Sequence, residues 1–130
     1  MPIFSSAPPS FVRVLFRLVG ANMNSTTDQV FTKQGTFSTY MLVPGGRCYN
    51  LSASATSAVG GLYTGAGKTG IILVAASQAY TGATTTTTGQ FLALNNEAAP
   101  VLSATPILSL STPHGSAVTA DFALYGIPLS

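Results

Sequence analysis

Short segments rich in apolar and β-branched residues, separated by turns, are the feature that most constrains this fold. Each segment ends at Gly, Pro, Asn or Ser, which is typical of strands in an all-β protein. No window of helical length carries an apolar stripe. We predict strands at 11–19, 28–32, 36–43, 48–57, 58–63, 70–79, 90–94, 106–111 and 119–127. This pattern indicates one all-β domain, 11–130, folded as an antiparallel β-sandwich or jelly roll.

The first ten residues, MPIFSSAPPS, contain three prolines, which lack backbone donors and disfavour helices and central strands. We predict an extended N-terminal arm, 1–10, and a disordered tail is the alternative. The apolar Ile3 and Phe4 favour the arm, because they would otherwise lie in water without a partner.

The next segment, FVRVLFRLV, alternates as a strand does. Its pattern places Val12, Val14, Phe16 and Leu18 on one face. Arg13 and Arg17 lie on the other face, together with Phe11, Leu15 and Val19. We therefore expect both faces to be covered at least in part.

The stretch GLYTGAGKTG contains GAGKTG, which is similar to a phosphate-binding loop. The Walker A pattern needs a Gly five residues before Gly67, where this chain has Leu62. A helix must also follow such a loop, whereas IILVAASQAY has the composition of a strand. We predict a hairpin in which Gly65, Gly67 and Gly70 supply the unusual dihedral angles and Lys68 keeps the tip in water.

Charged residues make up 6% of the chain, against about 25% in an average soluble domain. A surface with so few charges favours packing against other copies or on a larger assembly. The five Lys and Arg are scattered, which argues against nucleic-acid binding. No apolar run is long enough to span a membrane. The first residues lack the basic region, apolar core and small-residue cleavage site that follow one another in a signal peptide. We expect synthesis and retention in the cytoplasm.

The sequence offers little material for catalysis. Cys48 is the single cysteine, which excludes an internal disulfide, and we expect a buried thiol. His114 is the single histidine and follows a turn-forming Pro, without the Gly-x-Ser-x-Gly elbow of many hydrolases. The three acidic residues are far apart. We predict no catalytic residue, no metal, no cofactor and no small-molecule substrate.

The low-complexity stretch YTGATTTTTGQ favours an exposed loop or strand edge. A threonine-rich loop of this kind could also bind a sugar or a receptor. A carbohydrate- or receptor-binding module is therefore the alternative function, and only the resemblance given in the next paragraph would place it on a phage tail or fibre.

Three stretches carry a resemblance to small proteins encoded among the head genes of tailed bacteriophages: GANMNSTTDQVF, TSAVGGLYTGAGKTGIILVAA and LSLSTPHGSAVTADFALYGIPLS. The resemblance covers most of the chain after Val12. It implies a capsid decoration, or cement, protein with a β-sandwich or jelly-roll fold. Such a protein forms a homotrimer on the outer surface of the capsid and binds the major capsid protein, after assembly in the host cytoplasm.

A decoration protein must contact the shell or a neighbouring protomer. We expect these contacts from the arm and the first strand, through the residues Ile3, Phe4, Pro8, Pro9, Phe11, Arg13 and Arg17.

Overall fold

The computed structural model describes residues 12–86, 89–95 and 101–130. Their regular structure is entirely β, which confirms the predicted class, and none of them forms a helix that could cross a membrane. The strands are β1 (Arg13–Asn22), β2 (Gln29–Val30), β3 (Thr32–Lys33), β4 (Tyr40–Leu42), β5 (Arg47–Tyr49), β6 (Val59–Gly65), β7 (Thr69–Val74), β8 (Gln90–Phe91), β9 (Ile107–Thr112) and β10 (Thr119–Pro128). The predicted arm and Phe11 lie outside the described residues.

The strands form two sheets in which the pairings are antiparallel. A six-stranded sheet has the order β3-β1-β10-β5-β8, and β4 also pairs with β10. A four-stranded sheet has the order β2-β9-β6-β7. In the six-stranded sheet, β1 pairs with β10, and these are the longest strands. In the four-stranded sheet, β2 pairs with β9. Each sheet therefore combines segments far apart in sequence.

One hydrophobic core is shared by the two sheets. The six-stranded sheet contributes Leu15, Phe16 and Phe122, and the four-stranded sheet contributes Leu62 and Leu108, all 0% exposed. Edge-to-face aromatic contacts add to this packing, with ring centroids 4.9 Å apart for Phe16 and Tyr40. The core therefore joins the two sheets into one unit.

The segment 28–32, predicted as one strand, is two short strands in different sheets. Gln29 and Val30 pair with β9, whereas Thr32 pairs with β1. Phe31 lies at the crossing and is 3% exposed, because its side chain enters the core. The single-strand prediction is wrong, since burial of Phe31 between the sheets ends one pairing and begins the other.

Four other predicted strands are too long. The strand predicted at 48–57 is confirmed only for β5, because Asn50 has a φ of 51°, which extended backbone does not adopt. The strand predicted at 70–79 ends at Val74, and the Gln78 N–H closes a turn on the Ala75 carbonyl at 3.0 Å. Within 36–43 and 90–94, the structure has only the short β4 and β8.

Candidate interaction face

A bulge at Leu15 separates the two arginines of β1. In the β1–β10 register, Arg13 lies opposite Gly126, Arg17 lies opposite Ala123, and Leu15 is skipped. Side chains alternate along β10, so Gly126 and Ala123 belong to opposite faces of the sheet. The prediction that Arg13 and Arg17 share a face is wrong, because one bulged residue inverts the alternation beyond it.

Arg13 lies on the inner side, at one end of the core. Its guanidinium donates to the Gln34 carbonyl at 2.8 Å, and its Cζ is 5.7 Å from the centre of the Phe37 ring. The Lys33 ammonium lies 5.0 Å from the same ring and donates to the Phe37 carbonyl at 2.6 Å. These two cations therefore fix segment 33–37 against the end of β1.

Arg17 belongs to a cluster on the outer side of the six-stranded sheet. Its Nη1 donates to the Tyr49 hydroxyl at 2.9 Å, and the Arg47 guanidinium lies 5.0 Å from the centre of the Tyr49 ring. Arg17 and Arg47 both lie opposite Ala123, on either side of β10. The Arg17 side chain therefore crosses β10 to reach β5, and Ala123 is only 2% exposed.

An exposed aromatic residue continues this row. Phe91 on β8 lies opposite Arg47 and is 68% exposed. We refer to Arg17, Arg47, Tyr49 and Phe91 as the interaction face. Its side chains combine positive charge, aromatic rings and an apolar surface that is left in water.

Asp121 is the acidic residue beside the interaction face, opposite Tyr49. Its Oδ1 accepts from the Gly20 N–H at 2.9 Å, and its Oδ2 accepts from the Asn50 side-chain amide at 2.9 Å. Both oxygens are thus engaged by uncharged donors that fix the backbone beside β1 and β5.

Of the residues predicted for contact, the structure places only Arg17 on this face. Arg13 is on the opposite side, and Ile3, Phe4, Pro8, Pro9 and Phe11 lie outside the described residues. The sequence prediction did not include Arg47, Tyr49 or Phe91. Arg47 and Tyr49 are two residues apart in RCY, a spacing that indicates a shared strand face. No local signal showed that Arg17 or Phe91 would lie beside them.

The stretch GLYTGAGKTG forms the β6–β7 hairpin, as predicted. The residues with positive φ are Gly67 at 70°, Lys68 at 63° and Gly70 at 76°. The expectation for Gly65 is wrong, since Lys68 takes that role. Gly65 is instead paired directly with Thr69.

The hairpin tip is attached to the four-stranded sheet. The Gly67 N–H donates to Asp28 Oδ2 at 2.7 Å, and the Lys68 ammonium donates to the Ser109 hydroxyl at 2.9 Å. Hydrogen bonds from Gly67 and Ser109, together with the charge of Lys68, lower the pKa of Asp28. The Lys68 ammonium therefore attaches the tip to the sheet and also gives the tip a positive charge.

Replacing Asp28 by Asn tests this attachment through its pH dependence. Because the folded-state pKa is lowered, the carboxylate stabilises the protein above its ordinary pKa of about 3.9, and this contribution is lost as pH falls through the folded-state value. Because Asp28 is partly exposed, we expect Asp28→Asn to cost less than about 1 kcal/mol at pH 7. Urea unfolding of both proteins between neutral and acidic pH should show the difference shrinking in acid. A difference that grows in acid would contradict the assignment.

His114, Ser109 and Cys48 make structural contacts or are buried. His114 Nδ1 accepts from the Ser57 N–H at 3.2 Å. Ser109 contacts Lys68, as in Ser–Lys nucleophile pairs, but Ser109 is 1% exposed, so a substrate has no access to its hydroxyl. Cys48 is buried, as predicted, and burial raises its pKa to about 12, with a further contribution from the charge of Asp121.

Other binding features are small. In the part of the chain that the structure describes, no three His, Cys, Asp or Glu side chains lie close enough to hold a metal ion. An apolar cavity of about 10 Å³, lined in part by Leu42, Leu92 and Leu124, has room for about one water molecule. In the threonine stretch, the hydroxyls of Thr84 and Thr86 are 3.2 Å apart.

Comparisons with protein families, with curated proteins and with solved structures found no match for this chain.

Proposed function

We propose that this chain is a non-enzymatic structural protein of a bacteriophage particle. It decorates the outer surface of the capsid as a homotrimer and stabilises the shell by binding the major capsid protein. The observation that carries this proposal is the interaction face. Arginine and aromatic side chains are enriched at protein interfaces and contribute much of their binding energy.

Three side chains of the interaction face, those of Arg17, Arg47 and Tyr49, contact one another without a partner. The Arg17–Tyr49 hydrogen bond and the packing of Arg47 on the Tyr49 ring restrict three side chains in the isolated chain. Ordering such side chains on binding costs about 0.5–1.5 kcal/mol each, so prior order favours association. Exposed Phe91 then supplies apolar area that a partner can cover.

The low charge content supports the same proposal. With 6% charged residues, the surface has little electrostatic repulsion against neighbouring subunits. We interpret the two sheets with their shared core as a β-sandwich of the jelly-roll type. The arm, 1–10, with Ile3, Phe4, Pro8 and Pro9, reaches the shell or a neighbouring protomer.

The experiment is to add the purified chain to capsids of the encoding phage that lack it. We expect saturable binding, density at capsid symmetry axes by electron cryomicroscopy, and a solution mass of three times 13.3 kDa, about 40 kDa. Deleting residues 1–10 should reduce occupancy, and unchanged occupancy would reject the role of the arm. Absence of binding to capsids, with binding to host-surface glycans instead, would favour a receptor-binding module.

A further inference from the structure

We propose that the interaction face binds an acidic protein surface. Carboxylates of the partner contact Arg17 and Arg47, and Phe91 packs against apolar atoms beside them. The inference rests on the proposed function, because it names the chemistry of the surface that the chain would contact on the shell.

The first argument is the distribution of charge between the sheets. Of the five Lys and Arg in the chain, four lie on the six-stranded sheet: Arg13, Arg17, Lys33 and Arg47. The fifth, Lys68, lies on the hairpin of the four-stranded sheet, near Asp28. Among the described acidic residues, only Asp121 belongs to the six-stranded sheet. On the outer side of that sheet, the two positive charges of Arg17 and Arg47 against the one negative charge of Asp121 leave a net charge of +1, which complements an acidic partner.

The second argument is the geometry of the two arginines. They occupy the same row of the sheet, on either side of Ala123, and both contact Tyr49. A guanidinium has five N–H donors, and the bond from Arg17 to Tyr49 uses one of them. A planar guanidinium matches a carboxylate through two parallel hydrogen bonds, which makes carboxylates suitable partners for this pair.

The third argument separates a protein partner from a nucleic acid. Binding to a phosphate backbone requires several cations along one surface. Here the bulge at Leu15 turns Arg13 to the other side, and Lys33 is held at the Phe37 ring and carbonyl. Two arginines beside an exposed Phe91 favour a protein partner whose surface has a compact patch that is both acidic and apolar.

The test measures binding of two probes, a short oligo-glutamate peptide and capsids that lack the chain, with oligothymidylate as the nucleic-acid control. Each is measured with the wild type and with the Arg17→Gln, Arg47→Gln and Arg13→Gln variants. Arg13→Gln is the matched control, because it removes the same charge from the same strand on the opposite face. We expect Arg17→Gln and Arg47→Gln to weaken binding of both probes by about tenfold or more, while Arg13→Gln has little effect. Binding should also weaken as salt is added.

Thermal unfolding checks that each variant is folded. Arg17→Lys adds a second measurement, since it keeps the positive charge but loses the planar guanidinium. Partial loss with Lys and greater loss with Gln supports carboxylate recognition. Equal loss in all three Gln variants overturns it, as does tighter binding of oligothymidylate than of oligo-glutamate. Capsid binding that resists salt and all three changes overturns this inference but leaves the proposed function intact. Peptide binding without capsid binding rejects the proposed function but not the acidic partner.

Discussion

Replacing Gly61 by alanine is expected to remove about 3 kcal/mol or more from the free energy of unfolding. Gly61 lies in β6, between β9 and β7, and is buried. A Cβ atom at this position would overlap the carbonyl oxygen of Val74 and lie 2.7 Å from that of Ala75. Both are backbone atoms, which cannot rotate away as a side chain can. The β6–β7 pairing would have to open.

Urea unfolding of the wild type and two glycine variants measures this effect. Gly67→Ala is the comparison, because a Cβ there meets nothing within 4 Å. Its φ of 70° should cost about 1–2 kcal/mol on its own. The excess loss in Gly61→Ala therefore reports the steric overlap. Equal losses in the two variants would contradict the close approach of β6 and β7.

The features that could be predicted from the sequence depend on residues that are close together along the chain. The hairpin at GLYTGAGKTG followed from its glycines and from the apolar run after Gly70, and both signals are local. The close approach of Gly61 to the backbone of β7 was not predicted, because it depends on how the two strands pair.

The features that the sequence did not predict depend on distant contacts. The bulge at Leu15 is defined only by the register with β10, so strict alternation gave Arg13 the wrong face. The crossing at Phe31 depends on a core built by both sheets. The interaction face likewise brings Arg17 to Tyr49 across 32 positions of sequence. The periodicity of apolar residues within one segment cannot show which distant segments will contact it.

The bulge in β1 places its two arginines in different surroundings. Arg13 is fixed at the end of the core by Gln34 and Phe37. On the outer side, the Arg17 guanidinium donates to the Tyr49 hydroxyl. If Arg17 contacts a partner as proposed, substitutions at Arg13 and Arg17 should separate stability from association.

The second large effect is expected from Phe122→Ala, which should lower the free energy of unfolding by about 3–5 kcal/mol. Phe122 is 0% exposed, and its ring centre lies 6.1 Å from that of Phe31 and 6.0 Å from that of Tyr80. Truncation therefore removes apolar burial and two edge-to-face contacts, and it leaves a cavity between the sheets. Urea and thermal unfolding provide the measurement.

Phe91→Ala is the matched control, because it makes the same chemical change on the same sheet. Phe91 is 68% exposed, so we expect its stability to stay within about 0.5 kcal/mol of the wild type. Binding to capsids that lack the chain should nevertheless weaken, since Phe91 belongs to the interaction face. Phe122→Ala should lose binding only to the extent that it unfolds. If Phe91→Ala instead destabilised the fold and left binding unchanged, Phe91 would be a structural residue, and the interaction face would lose its apolar contact.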